Sequence, residues 1–166
     1  MSSKSKKNGM KVDRTLVVVD LENACGSSQL IGAYHKVAHE LIQNIVGNGA
    51  VVYVIATGPA ARRETPDLPF EWPTSRWLVG HGRDGADREL TDVLLDEPLA
   101  RRSQRVVVVS GDHRFAPALH QLALSGVETT VVSRAKALSR ECRLAAINTV
   151  VIPEPCENIC SPLEAA

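Results

Sequence analysis

The chain is poor in aromatics, in cysteine and in net charge. Phe, Trp and Tyr make up only 4% of its 166 residues, so its core must be built from Val, Leu, Ile and Ala. Nineteen Lys and Arg offset nineteen Asp and Glu. That balance excludes a strongly basic nucleic-acid coat and leaves room for a local basic patch. The four cysteines are Cys25, Cys142, Cys156 and Cys160, and their scatter is not the framework of a small secreted domain. Cys156 and Cys160 lack the second Cys or His pair of a zinc finger, and nothing in the pattern supports Cys25 as a catalytic thiol. No apolar run reaches the ~18 residues of a membrane span. The basic stretch at residues 1–9 lacks the apolar centre of a signal peptide. A cytoplasmic protein without membrane association is expected. There is also no Gly-x-Gly-x-x-Gly turn after the first strand, no P-loop and no Ser nucleophile elbow.

What is present is a set of short β-branched runs. Two of them, Val17-Val18-Val19-Asp20 and Val106-Val107-Val108-Val109-Ser110-Gly111-Asp112, end abruptly in a carboxylate. Such runs read as buried strands of a parallel sheet. Strands are expected at about residues 15–20, 50–56, 76–79, 106–110, 127–132 and 149–152. The segment from Leu30 to Ile45 carries apolar residues at helical spacing, and a loop through Asn23 and Gly26 should precede it. Pro59, Pro66, Pro69 and Pro73 make residues 57–74 a surface loop, at whose end Trp72 and Trp77 are candidates for stacking on bases as well as for packing. A helix beginning near Asp87 and stopping before Pro98 turns Asp87 inward and Asp92 outward. Pro117 suits the first turn of the next helix, and a last helix is expected at about 137–146. The alternation of strand and helix implies an α/β domain over residues 14–153, with a flexible basic tail at 1–13 and an irregular tail at 154–166.

In an open α/β sheet, ligands bind beyond the carboxyl ends of the strands. Asp20 and Asp112 stand at such ends, and the inward side of the third helix brings Asp87 to the same crevice. Near an N-terminus, Asp87 also has an ordinary role, complementing the helix dipole. Carboxylates this close do not all stay ionised cheaply without a cation between them. Hard oxygen ligands suit Mg2+ or Mn2+, and such a site can activate water and clamp a phosphate. Asn23 and Ser110 adjoin the carboxylates as hydrogen-bonding groups. The basic side chains Arg134, Lys136, Arg140 and Arg143 follow the fifth strand and are candidates for RNA backbone contact.

Three segments together resemble the NYN family of PIN-like nucleases: Asp20-Leu-Glu-Asn23, Gly85-Ala-Asp87-Arg-Glu-Leu-Thr-Asp92 and Ser110-Gly-Asp112-His-Arg-Phe115. Their order and spacing match over residues 15–152. The resemblance implies a Rossmann-like three-layer α/β/α sandwich with a mostly parallel central sheet, and metal-dependent cleavage of RNA. It implies Asp20, Asp87 and Asp112 as catalytic metal ligands, Asp92 as a further acidic position, and Asn23 in support of the phosphate or the metal shell. The chain departs from the family at Arg114, where a second acidic residue often stands. That exchange removes a negative charge and adds a positive one. It is compatible with one metal ion instead of two, with an arginine contacting phosphate, or with lost activity.

The leading expectation is therefore an endoribonuclease using Mg2+ or Mn2+. The alternative is an inactive module of the same fold that binds RNA or a protein partner. A third, a phosphatase-like hydrolase with Asp20 as nucleophile, is weakened by Asn23 standing where a further carboxylate would help. The sequence leaves a homodimer open.

Overall fold

The structure, a computed structural model, describes residues 13–72 and 74–155. The expected tails lie almost wholly outside the described residues, as do Cys156 and Cys160. The elements run β1 (Arg14–Asp20), α1 (Leu21–Cys25), α2 (Ile31–Val46), β2 (Ala50–Thr57), α3 (Pro59–Glu64), α4 (Leu68–Glu71), β3 (Ser75–Val79) and α5 (Gly85–Leu95). They continue with α6 (Pro98–Arg102), β4 (Arg105–Val109), α7 (Ala116–Leu124), β5 (Glu128–Arg134), α8 (Arg140–Ala145) and β6 (Asn148–Ile152).

The strands form one six-stranded sheet in the order β3-β2-β1-β4-β5-β6, parallel throughout. This is the α/β architecture expected, with helices on both faces. The period of two along β1 explains the layers. Val17 and Val19 join Ile31, Tyr34 and Ile42 on one face, while Leu16 and Val18 join Leu90, Val93, Phe115 and Leu119 on the other. Both faces are covered, so the strands read as continuous apolar runs. Chain order reverses between β1 and β4, and the crevice beyond their carboxyl ends is the place where such sheets receive ligands. Among the described residues, no helix is long and apolar enough to cross a membrane.

Three local expectations need correction. Residues 57–74 are not simply a loop: they form α3 and α4, each with a proline in its first turn, where a missing N–H costs nothing. Trp72 is buried, stacked on His39 at 4.3 Å and edge-on to Tyr53 at 5.9 Å. Trp77 packs against the same core and donates its indole N–H to Ser75 Oγ at 2.7 Å. Neither ring lies in the crevice. Secondly, Asn23 is on a helix, because Asp20 caps α1 by accepting the Asn23 N–H at 3.3 Å. Thirdly, the last helix is shorter than 137–146. It begins at Arg140, where the Ser139 hydroxyl accepts the Cys142 N–H at 3.2 Å, and Lys136 and Ala137 precede it in a turn.

Candidate functional site

The crevice is a cavity of about 350 Å³ lined by Asp20, Glu22, Asn23, Asp84 and Asp87, with Gly58, Gly80 and Gly82 among its walls. Each side chain is delivered by a distinct local device. Asp20 is the last residue of β1, and the Asn23 N–H holds its Oδ1. Its Oδ2 accepts from the Ser110 hydroxyl at 3.3 Å, immediately beyond β4. The β1–β4 register, Val19 opposite Val109, puts these two residues side by side although 90 positions separate them.

Asp87 arrives in the first turn of α5. What brings that turn close is a glycine pair. A Cβ at Gly80 would lie 2.0 Å from the Gly85 carbonyl carbon and 2.1 Å from the Ala86 nitrogen, so only backbone on backbone fits. On the β4 side, Gly111 serves the same purpose. A Cβ there would lie 2.1 Å from the Ala137 carbonyl oxygen, and the Gly111 carbonyl accepts the Ser139 N–H at 2.9 Å.

Asp20 is only 9% exposed. Burial, then the charge of Asp87, pushes its carboxyl up to about 7, against the opposing pull of the Asn23 N–H and the Ser110 hydroxyl. Asp87 is also raised, by burial and then by Asp112, with Arg114 holding it back. Asp112 caps the short helical turn His113–Phe115 that follows β4. Its Oδ1 accepts the Arg114 N–H at 2.9 Å, its carbonyl accepts the Cys142 thiol at 2.9 Å, and His113 Nδ1 lies 3.3 Å from its carboxylate. The Arg114 guanidinium reaches back into the cluster, with Nη1 2.9 Å from Asp87 Oδ2, 3.0 Å from Asp84 Oδ1 and 3.5 Å from Asp112 Oδ2.

The expected residues therefore divide. Asp20, Asp87, Asn23, Ser110, Asp112 and Arg114 gather at the carboxyl ends of β1 and β4. Asp92 is exposed on α5 and does not line the cavity. Arg134 is buried; it donates to the carbonyls of Asn23 and Ala24 and lies over the Tyr34 ring at 5.4 Å. Its guanidinium holds the end of α1 in place, which differs from the surface role expected of it. Lys136, Arg140 and Arg143 are exposed. Lys136 and Arg134 line a second cavity, about 480 Å³, which shares Asn23 and Gly26 with the first. Cys25 is fully buried and its thiol is pushed up to about 12 by desolvation, so it is no nucleophile.

Sequence reasoning missed Asp84 and Glu22. Asp84 has φ 58°, the left-handed region that Asn and Asp tolerate better than most residues. The Asp84-Gly85 dipeptide at the start of α5 was the available signal. Glu22 sits inside the same segment that carries Asp20 and Asn23.

Among the described residues, no three His, Cys, Asp or Glu side chains are grouped as a ready-made metal-binding set. The oxygen-only donors of Asp20 and Asp87 still fit a hard cation that keeps much of its water, since Mg2+ is commonly held by one or two carboxylates together with substrate phosphate. They do not fit an ion caged by protein alone.

No protein-family model matches the chain, and no curated protein matches it. Among solved structures, it is similar to the crystal structure of a protein of unknown function from Vibrio parahaemolyticus. The TM-score is 0.66 at 16% identity, covering 88% of this chain and 96% of that one. The likeness spans nearly the whole of both chains, and at that identity it speaks for the fold alone.

Proposed function

We propose that this protein is an endoribonuclease of the NYN, PIN-like kind that cleaves RNA phosphodiester bonds with the help of one Mg2+ or Mn2+ ion. One observation carries the reading: two desolvated carboxylates, Asp20 and Asp87, face a single open cavity at the switch point of a parallel sheet. Burying two acids side by side is costly, and a cation between them relieves that cost. The resemblance of three ordered segments to the NYN family supports the same conclusion.

Asp20 and Asp87 would hold the ion. Bound there, it would supply neutralisation of the phosphoryl oxygens and a lowered pKa for water. The chain's own groups orient the rest. The Asn23 N–H and the Ser110 hydroxyl fix both oxygens of Asp20, so the carboxylate is held before substrate arrives, which is what positional catalysis requires. The Asn23 side chain is available to a phosphate oxygen. The second cavity continues the first across Asn23 and Gly26 toward Lys136, giving the flanking RNA backbone a cationic contact outside an otherwise acidic cleft.

A second reading has one observation in its favour: Arg114 already neutralises part of the cluster. On that reading the fold binds RNA or a protein partner without cleaving RNA. The deciding experiment is incubation of labelled single-stranded and hairpin RNAs with Mn2+, Mg2+ or EDTA, using wild type, Asp20→Asn and Asp87→Asn, all verified as folded. The nuclease reading expects cleavage that requires the metal and disappears in both variants. RNA retained but uncut by wild type would instead establish the binding module.

A further inference from the structure

We infer that the cavity around Arg134 and Lys136 is a pocket for a phosphate monoester, the terminal phosphate of an RNA strand, and that Glu154 stands in for that phosphate until it arrives. The inference rests on the RNA reading of the neighbouring crevice and adds which part of the strand this cavity selects.

The pocket is built on a buried cation. The Arg134 side chain is only 3% exposed, yet it lines a cavity of about 480 Å³. Its Nη1 and Nη2 are committed, donating to the Asn23 and Ala24 carbonyls. Its Nε is buried and has no hydrogen-bond acceptor among the described residues. A buried N–H without an acceptor is costly, and a missing ion is one of the few things that account for it. Glu154 Oε2 stands 3.9 Å from that nitrogen, beyond hydrogen-bond range. The carboxylate therefore brings negative charge to the guanidinium without satisfying it. Glu154 follows β6 between two prolines, and Pro155 packs on Gly26, where a Cβ would lie 2.9 Å from Pro155 Cγ. The Glu154 side chain is 48% exposed, and the contact with Arg134 is its one polar contact among the described residues. It can swing into water at little cost.

Charge decides which phosphate the pocket takes. Arg134 and Lys136 are its cationic side chains, and Glu154 is the carboxylate beside them. An internal phosphodiester carries one negative charge, so exchanging it for Glu154 gains nothing in charge. A phosphate monoester carries about −1.5 to −2 at pH 7, which matches two cations once Glu154 has moved away. Its additional oxygens also supply the acceptor that Arg134 Nε lacks. The cavity shares Asn23 and Gly26 with the acidic crevice. A strand anchored here by its end therefore continues past Asn23 toward Asp20 and Asp87. The crevice itself, lined by Asp20, Glu22, Asp84 and Asp87, repels phosphate when no metal is bound. In the absence of metal, phosphate binding reports the second cavity.

The test measures binding without cleavage. Short, internally labelled single-stranded RNAs of one sequence are titrated in EDTA, ending in a 5′-phosphate, in a 3′-phosphate or in hydroxyls only. Wild type, Lys136→Gln and Glu154→Gln are compared, each checked for native circular dichroism; both side chains face water, and Arg134 is left intact because it holds α1. Wild type is expected to bind one of the phosphate-ended strands about tenfold more tightly than the hydroxyl-ended strand. Lys136→Gln should reduce that preference, and Glu154→Gln should tighten binding of the phosphate-ended strand. Inorganic phosphate added to isotope-labelled wild type should shift the Arg134 Nε–H resonance. Equal affinity for all three strands in wild type overturns the inference, as does a preference left unchanged by both substitutions, which would place the phosphate elsewhere. Failure of the ribonuclease reading has a separate signature, the absence of metal-dependent cleavage, which binding in EDTA does not depend on.

Discussion

Ser110 and Asp20 meet across the boundary between β4 and β1: the Ser110 hydroxyl donates to Asp20 Oδ2 at 3.3 Å, and the same hydroxyl oxygen accepts the Asp112 N–H at 3.3 Å. One buried hydroxyl thereby ties the ends of two neighbouring strands together and supports the ionised form of the most deeply placed carboxylate in the cleft. Replacing it isolates that contribution. Ser110→Ala should cost about 1 kcal/mol of stability and move the Asp20 carboxyl further upward, because a donor to its ionised form is lost. Carbon-detected NMR titration of the Asp20 carboxyl reads this directly. A downward move would contradict the assignment.

Asp20 also makes stability depend on pH. A carboxyl whose pKa is higher folded than unfolded binds more protons in the folded state. Stability then falls as pH rises, here from about 4 toward the folded value of about 7. Asp20→Asn removes the charge, so it should be more stable than wild type at pH 8, by up to about 4 kcal/mol, with little advantage at pH 4. Urea unfolding at both pH values checks the sign. Saturating Mn2+ should shrink the difference at pH 8, since the ion stabilises only the wild-type carboxylate.

Gly80→Ala should be far more damaging than an ordinary surface change. The added methyl would overlap the backbone of Gly85 and Ala86, and no flexible side chain is there to yield. A loss of roughly 3 kcal/mol or more is expected, with α5 displaced and metal-dependent activity lost in whatever remains folded. Gly47→Ala is a useful comparison. Its Cβ would meet nothing within 4 Å, but its positive φ of 77° still carries a backbone cost.

Arg134 and Lys136, two residues apart, should fail differently. Arg134 is 2% exposed, and its guanidinium donates to two carbonyls of α1. Arg134→Ala should lower stability by on the order of 3 kcal/mol, because two charged hydrogen bonds are lost and the Ala24 carbonyl of a buried residue loses its guanidinium donor, while the Asn23 carbonyl keeps the Gly26 N–H. Lys136→Glu should leave the melting temperature unchanged, weaken RNA binding and flatten its salt dependence by about one ion. Thermal melts combined with binding at several salt concentrations separate the two effects. Equal melting losses in both variants would refute the division.

Much of this molecule is legible along the chain. Stiff β-branched runs such as 106–109 have a single comfortable state, the pleated strand, and the helical spacing from Leu30 to Ile45 marks α2. The abrupt carboxylates at Asp20 and Asp112 follow from where those runs stop. Local periodicity decides these features because it depends on neighbours within a few residues. Only the tertiary structure decided the rest. Strand order set β1 beside β4 and joined Ser110 to Asp20. The close approach of Gly80 and Gly85 carried Asp84 and Asp87 to the segment after β4, where Arg114 could reach them. Trp72 and Arg134 went inward although their immediate neighbours left them free to face water. Each of these outcomes depends on which surfaces lie opposite once the sheet is assembled, and contacts between residues tens of positions apart leave no periodic trace in the sequence.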